Sequence, residues 1–278
     1  METSKNKSIL FCQGDMCRSY DQGLIIEEPL SIRIEGEPYS VVMRTPGEET
    51  SHVAGFCLAE GLIEHPDDIG TIGLCDEGDA NVVTVTLKPE RKNIVKDLLE
   101  RRGFVSQTSC GICGKELITD MQQILKPVKD KTTITVKQAI ECVDKLVGRQ
   151  ELYKTTRGAH SAMIFDYHLE PISQAEDVGR HNALDKAIGK VFMDGKLESA
   201  LIAALSSRIS YELVQKANRA GLVFLVGMSR PTSLAVELGQ AMNMTIASIR
   251  EGGLLIFGGQ ERFVDLKDDS KKDLKNER

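Results

Sequence analysis

Apolar and polar positions divide the chain into two differently patterned halves. In the first, apolar runs at residues 30–34 and 39–44 flank Glu35-Gly36-Glu37-Pro38, which predicts a β-hairpin. Thr45-Pro46-Gly47-Glu48-Glu49 then supplies a cap, a proline and first-turn acids ahead of a helix over 52–63, with His52 and Cys57 as packing residues. β-Branched residues alternate over 81–87 as a strand, and 90–102 has the spacing of a helix with a charged outer face. Residues 24–107 are therefore expected as a smaller N-terminal α+β domain, preceded by a polar loop over 1–23 whose Cys12 and Cys17 carry no assigned chemistry.

The second half begins after a polar connector around Pro127. Thr135-Val136-Lys137-Gln138 has capping-box form and opens a helix to about Val147, with Cys142 on its apolar side. Strand-like runs at 161–166, 200–206 and 222–228 then precede helical patterns at 177–192, 210–220 and 231–242, with further strands at 245–249 and 254–257. Strands alternating with helices predict an α/β domain over 132–266, built on a largely parallel sheet covered on both faces. Between the halves, 108–131 reads as a mobile loop, a helix and a connector, and the charge-rich 267–278 as a disordered tail.

Charge and composition narrow the function classes. A net charge of −6 over 278 residues argues against a general nucleic-acid binder, which needs a basic face. No apolar run reaches the roughly 18 residues that span a bilayer. Seven cysteines without an N-terminal signal pattern point to free thiols in a reducing cytoplasm.

Only Ser109-Cys110-Gly111-Ile112-Cys113-Gly114-Lys115 brings two thiols close together. Its glycines loosen the backbone around the sulfurs. A following helical pattern from Lys115, together with the Lys115 ammonium, favours thiolate over thiol. Structural thiols are one reading. Zinc is another, but it wants four ligands, and no second CxxC exists among the remaining cysteines. A thioredoxin-like pair would directly follow a strand near the start of its domain, unlike this one. A nucleophilic thiol remains, with sulfur transfer and thiol redox chemistry both open. In the second half an arginine recurs where strands meet helices, at Arg157, Arg180, Arg208, Arg230 and Arg250. Guanidinium matches phosphate by paired hydrogen bonds, so the set predicts a phosphate-bearing ligand at one edge of the sheet.

With these strings in view the chain resembles the formate dehydrogenase accessory sulfurtransferase family, FdhD. The likeness runs through Arg44-Thr45-Pro46-Gly47, Gly55-Phe56, Glu60-Gly61-Leu62-Ile63, the CGxCGK loop, Glu176-Asp177-Val178-Gly179-Arg180-His181-Asn182-Ala183-Leu184-Asp185-Lys186 and Ser229-Arg230-Pro231-Thr232-Ser233-Leu234-Ala235. It implies a cytidine-deaminase-like three-layer fold without deaminase chemistry, since His160-Ser161-Ala162 lacks the glutamate that chemistry requires. It also implies a cytoplasmic homodimer that takes persulfide sulfur from a cysteine desulfurase. The sulfur passes to the molybdenum or tungsten bis(guanine dinucleotide) cofactor, bound as cargo with no intrinsic metal, on behalf of formate dehydrogenase. Cys110 matches the persulfide position and Cys113 the second loop thiol. Ile249, Arg250, Glu251, Gly252, Gly253 and Leu254 match the cofactor segment; Arg180, His181 and Arg230 are further candidate contacts. The rival function is a non-catalytic chaperone that docks the same cofactor into the apo-dehydrogenase.

Overall fold

The computed structural model describes residues 2–75, 80–102 and 125–266. The expected thiol loop with Cys110 and Cys113, the helix expected after it and the expected C-terminal tail lie outside the described residues.

Residues 1–23 do not form the expected loop. Strands β1 (Ser4–Gln13) and β2 (Met16–Ile25) pair antiparallel around a two-residue turn with Gly14 at positive φ, and Cys12 faces Cys17 across the ribbon in a disulfide. Those two cysteines are therefore not free thiols. Most of the ribbon is exposed, so no buried face imposes the apolar alternation by which strands are read.

The next pattern folds as its residues dictate. β3 (Glu28–Ile34) and β4 (Glu37–Arg44) join through Glu35-Gly36, both at positive φ, the requirement of a type I′ turn. β5 (Ile69–Leu74) was not anticipated; with β6 (Val82–Leu87) it completes a four-stranded sheet in the order β4-β3-β6-β5. β6 buries Val83, Val85 and Leu87 on one face, as its alternation predicts. Helix α1 (Glu49–Ala59) stops short of the expected end, because Gly61 turns at positive φ and sends Leu62 and Ile63 into the core as irregular backbone. Helix α2 (Pro89–Arg102) follows β6.

The second sheet has six strands in the order β12-β11-β10-β9-β7-β8. Only β9 (Ala200–Leu205), β10 (Phe224–Gly227) and β11 (Thr245–Arg250) are mutually parallel; β7 (His160–Asp166), β8 (Pro171–Asp177) and β12 (Gly253–Gly258) run against their neighbours. The expected largely parallel sheet is thus mixed. Two hairpins cause this: the unanticipated, half-buried β8 folds back on β7 over residues read as loop and helix start, and the turn at Glu251-Gly252 folds β12 back on β11.

Helices cover both faces. On one lies α3 (Val136–Gly148), opened by the expected capping box: Gln138 N–H donates to Thr135 Oγ1 (3.1 Å) and Thr135 N–H to Gln138 Oε1 (2.8 Å). Its Ala139, Cys142, Val143 and Leu146 pack against Met163, Phe165, Leu201 and Phe224. A short α4 (Glu151–Thr156) supports the base of the ribbon, where Gln22 Nε2 donates to the Thr155 carbonyl. On the other face lie α5 (Arg180–Met193), α6 (Tyr211–Arg219) and α7 (Ser233–Ala241). There one apolar core runs from the sheet through α5 and α1 to the four-stranded sheet. Gly55 of α1 and Gly189 of α5 mark the crossing, where a Cβ on either would enter backbone of the facing helix. Among the described residues no helix is long and apolar enough to cross a membrane.

Candidate functional site

Topology gathers the junction residues at one edge of the six-stranded sheet. The parallel strands all end there, at Leu205, Gly227 and Arg250; β7 begins there and β8 ends there, since Ala162 pairs with Leu205 and His160 with Asp177. Arg180, Arg208, Arg230 and Arg250 therefore share an edge, at the carboxyl ends of parallel strands where α/β sheets hold ligands. Arg208 and Arg230 are exposed. Arg157 instead turns its guanidinium over the Tyr153 ring, 5.3 Å from the centroid.

The segment from Ile249 to Leu254 is the β11–β12 turn: Ile249 pairs with Leu254 and Arg250 with Gly253, while Glu251 and Gly252 take positive φ. Arg250 Nε lies 3.7 Å from Glu251 Oε1, and both side chains are largely exposed.

Much of the string from Asp177 to Lys186 works as a clamp. Asp177, buried at the end of β8, accepts from Thr45 N–H (3.0 Å), Gly179 N–H (2.8 Å) and Asn182 Nδ2 (2.9 Å), and pairs with the Lys186 ammonium at 2.7 Å. Lys186 also donates to the Thr45 carbonyl, Asn182 to the Met43 carbonyl, and Val178 N–H to Thr45 Oγ1. The fully buried Arg44 pairs with Glu49 (3.2 Å) and Glu28 (3.4 Å) and donates from its terminal nitrogen to Asn81 Oδ1 (2.8 Å), while its Nε has no hydrogen-bond partner among the described residues. The stretch from Arg44 to Pro46 is thereby fastened to the first turn of α5, which fixes where Arg180 and His181 stand.

His181 Nε2 lies 3.1 Å from both Ser210 Oγ and Glu212 Oε2, linking the first turns of α5 and α6. Burial, then the nearby cations Arg180 and Lys216 and the neighbouring His160, pushes its imidazole down to about 3. Burial and Arg180 lower His160 despite Asp177. Burial followed by Lys186, Lys216 and Arg44 holds the fully buried His52 well below the ordinary value.

All three therefore resist a proton that the unfolded chain accepts near pH 6.5, so the stability they contribute is present above that pH and lost as pH falls. Asp185, paired with Lys216 at 2.8 Å, is raised to about 6, chiefly by burial. Its contribution has the opposite sign, being lost as pH rises toward 6, but it is one group against three. We expect the melting temperature to fall steadily from pH 6.5 to 4.5; a flat or rising trend would contradict this assignment of neutral histidines.

Below His181 a pocket of about 290 Å³ opens between α1, α5 and α6, with Phe56, Asn182, Asp185, Gln215 and Lys216 among its lining residues. Neither Gln215 nor the Asp185–Lys216 pair stood out in the sequence. An amphipathic helix carries such residues routinely, and their inward direction appears only once α1 closes over them. A second cavity, of about 420 Å³, lies between the ribbon base, Pro46–Glu48 and α4.

Burial sorts the described thiols. Cys57 and Cys142 are buried, and desolvation pushes the first far up and the second to about 12, so neither offers a thiolate. Cys12 and Cys17 are bonded to each other, and Cys75 is half-buried beyond β5.

The model of the FdhD/NarQ family matches residues 25–264, which spans both sheets and the edge between them. The chain belongs to the FdhD/NarQ family. A sulfur carrier protein FdhD from Mycobacterium tuberculosis is 35% identical over 259 residues, covering 89% of this chain and 93% of that protein. One from Picrophilus torridus is 34% identical over 272 residues, covering 94% of this chain and 98% of its own length. A crystal structure from Desulfotalea psychrophila, of a protein described as a formate dehydrogenase accessory protein, superimposes with a TM-score of 0.76 over 95% of this chain and all of that one. At 19% identity that likeness speaks to the fold alone. The family's mixed α/β architecture is the one seen here.

Proposed function

We propose that this protein is a sulfurtransferase that carries sulfur as a persulfide on Cys110, taking it from a cysteine desulfurase and delivering it to the molybdenum or tungsten bis(guanine dinucleotide) cofactor used by formate dehydrogenase. The observation that carries this reading is the sorting of thiols within a family of named sulfur carriers. Of the five described cysteines, four are bonded or buried and only Cys75 is a half-buried free thiol, so none offers a second pair of adjacent thiols beside the CxxC of the sequence. The arginine-bearing sheet edge supports a phosphate-rich cargo, with Arg250 in the β11–β12 turn and Arg180, His181 and Arg230 nearby. A cytidine-deaminase-like layering, a cytoplasmic setting and a homodimer belong to the same proposal.

Loading requires no outside electron donor. The Cys110 thiolate attacks the terminal sulfur of the donor persulfide, a new S–S bond forms as the old one breaks, and the donor leaves as thiolate. Releasing that sulfur as sulfide takes two electrons. The Cys113 thiolate supplies them by attacking the inner sulfur of Cys110, which closes a disulfide and expels hydrosulfide.

Intact-mass measurement after incubation with a cysteine desulfurase and cysteine tests the assignment. An added sulfur of about 32 Da is expected in the native protein and in Cys113→Ala, and absent in Cys110→Ala. Cys113→Ala should load yet fail to release without added thiol. If Cys110→Ala leaves formate dehydrogenase fully active in cells while Arg250→Ala abolishes its activity, the cofactor-docking chaperone replaces this reading.

A further inference from the structure

The β1–β2 ribbon carries a reactive group that sulfur transfer on Cys110 does not use. Cys12 and Cys17 face each other just before and just after the outermost turn, bonded to one another and both exposed. Residues paired across a ribbon share a face, and successive pairs alternate. The disulfide therefore lies on the face of Ser8, Leu10, Ser19 and Asp21, where Ser8 Oγ and Ser19 Oγ are 2.8 Å apart. Phe11, Arg18 and Tyr20 occupy the other face, with the Arg18 guanidinium 5.3 Å from the centre of the Phe11 ring. Every residue from Leu10 to Asp21 is exposed, so solvent reaches both sulfurs. The family match begins at Ile25, where the ribbon ends, so the pair stands outside the matched segment.

A disulfide in this position adds little to the stability of the whole molecule. The entropy that a cross-link removes from the unfolded chain grows with the loop it closes, and this one closes only the turn from Gln13 to Met16. No residue of the ribbon belongs to either apolar core. The body grips the ribbon at its base, where Gly23 is buried beside Thr155 and Gln22 Nε2 donates to the Thr155 carbonyl (3.0 Å). The outer half has no such support. A two-stranded ribbon alone is marginal in water, and without a buried face its register is weakly specified, so beyond the base the cross-link is what holds β1 against β2.

We propose that Cys12 and Cys17 form a redox-active pair that exchanges with an external dithiol, and that their oxidation state sets whether the outer ribbon is ordered. One thiolate of the dithiol attacks a ribbon sulfur; a new S–S bond forms, the Cys12–Cys17 bond breaks, and the other ribbon cysteine leaves as thiolate. The second thiol of the reductant then attacks its own partner sulfur in the mixed disulfide and releases the first ribbon cysteine. Two electrons and two protons pass to the ribbon, and the reductant ends as a disulfide. A dithiol is required because the freed ribbon thiolate stands opposite its former partner and expels a lone thiol before a second molecule arrives. Neither step involves Cys110 or Cys113, so the exchange is separate from the sulfur transfer proposed above.

Alkylation with peptide mapping tests this in the full chain carrying Cys110→Ser and Cys113→Ser, with reduced thioredoxin and glutathione as probes at equal thiol concentration. Thioredoxin should free Cys12 and Cys17 for labelling about tenfold or more faster than glutathione, while the buried Cys57 and Cys142 stay unlabelled. Hydrogen exchange should then quicken about tenfold or more at the hydrogen-bonded amides of the outer ribbon and stay slow beside Gly23, with the melting temperature hardly moved. Cys12→Ser/Cys17→Ser should show the same fast exchange with no reductant present. A disulfide that survives both probes until the molecule melts overturns the proposal, as does an outer ribbon whose exchange is unchanged by reduction and by the serine pair. Equal rates with the two probes overturn the choice of a dithiol as the partner.

Discussion

Alanine at position 189 should cost this protein a large part of its stability. Gly189 lies where α5 crosses α1, and a Cβ there would sit inside the contact distance of the Ser51 carbonyl oxygen. The obstacle is backbone, so no side-chain rotation relieves it. Gly55 faces the same difficulty against the Asp185 carbonyl, so the two helices must separate for either substitution to fit. Overpacking in a close-packed core ordinarily costs about 1–3 kcal/mol, and a main-chain clash belongs at or above the top of that range. For a chain of this size that amounts to a fall in melting temperature of roughly 6–10 °C. Gly148, the last residue of α3, is the control: nothing lies near its added Cβ, and Gly148→Ala should stabilise by about 0.5–1 kcal/mol. Thermal melts of the three variants decide the matter. A Gly189→Ala protein that melts with the parent would show that the crossing has slack.

Removing the Asp177 carboxylate should be at least as damaging. Asp177→Ala strands the buried Lys186 ammonium with only the Thr45 carbonyl for company, and orphans Thr45 N–H and one bond each from Gly179 and Asn182. Breaking one side of a buried pair costs about 3–5 kcal/mol, against a total stability of about 5–15 kcal/mol. Because the penalty is an uncompensated charge, removing Lys186 as well should restore part of it. Chemical denaturation should therefore place Asp177→Asn/Lys186→Met above Asp177→Ala. A double variant less stable than the alanine variant would mean that the ammonium finds another partner.

The parts of this fold that were legible in the sequence are those written by neighbours in the chain. The capping box at Thr135 and Gln138, the Glu35-Gly36 turn and the buried alternation of β6 each depend on residues a few positions apart. β8 escaped because it is half-buried, with polar residues among its apolar ones, and because Asp177 suits a helix cap as readily as a strand end. Its partner, Thr45, lies 132 residues away, a distance over which spacing says nothing. The β1–β2 ribbon escaped for want of a buried face. The arginines at strand ends were legible because the alternation of strands and helices sends parallel strand ends to one edge. The pocket at Gln215 was not, because whether a helical glutamine points inward depends on α1 lying across it.

The two buried free cysteines give this protein a reporter for each side of its sheet. Cys57 belongs to the core shared by α1, α5 and the four-stranded sheet, whereas Cys142 belongs to the core beneath α3. A thiol reagent reaches either one only when that core opens, so its labelling rate measures a local opening free energy. Followed by peptide mass mapping in mild denaturant, the two rates would reveal whether the halves of the molecule open together or in sequence. Equal rates would mean that the molecule unfolds as one cooperative unit; a faster Cys142 would mean that α3 lifts from the sheet while the α1–α5 crossing holds.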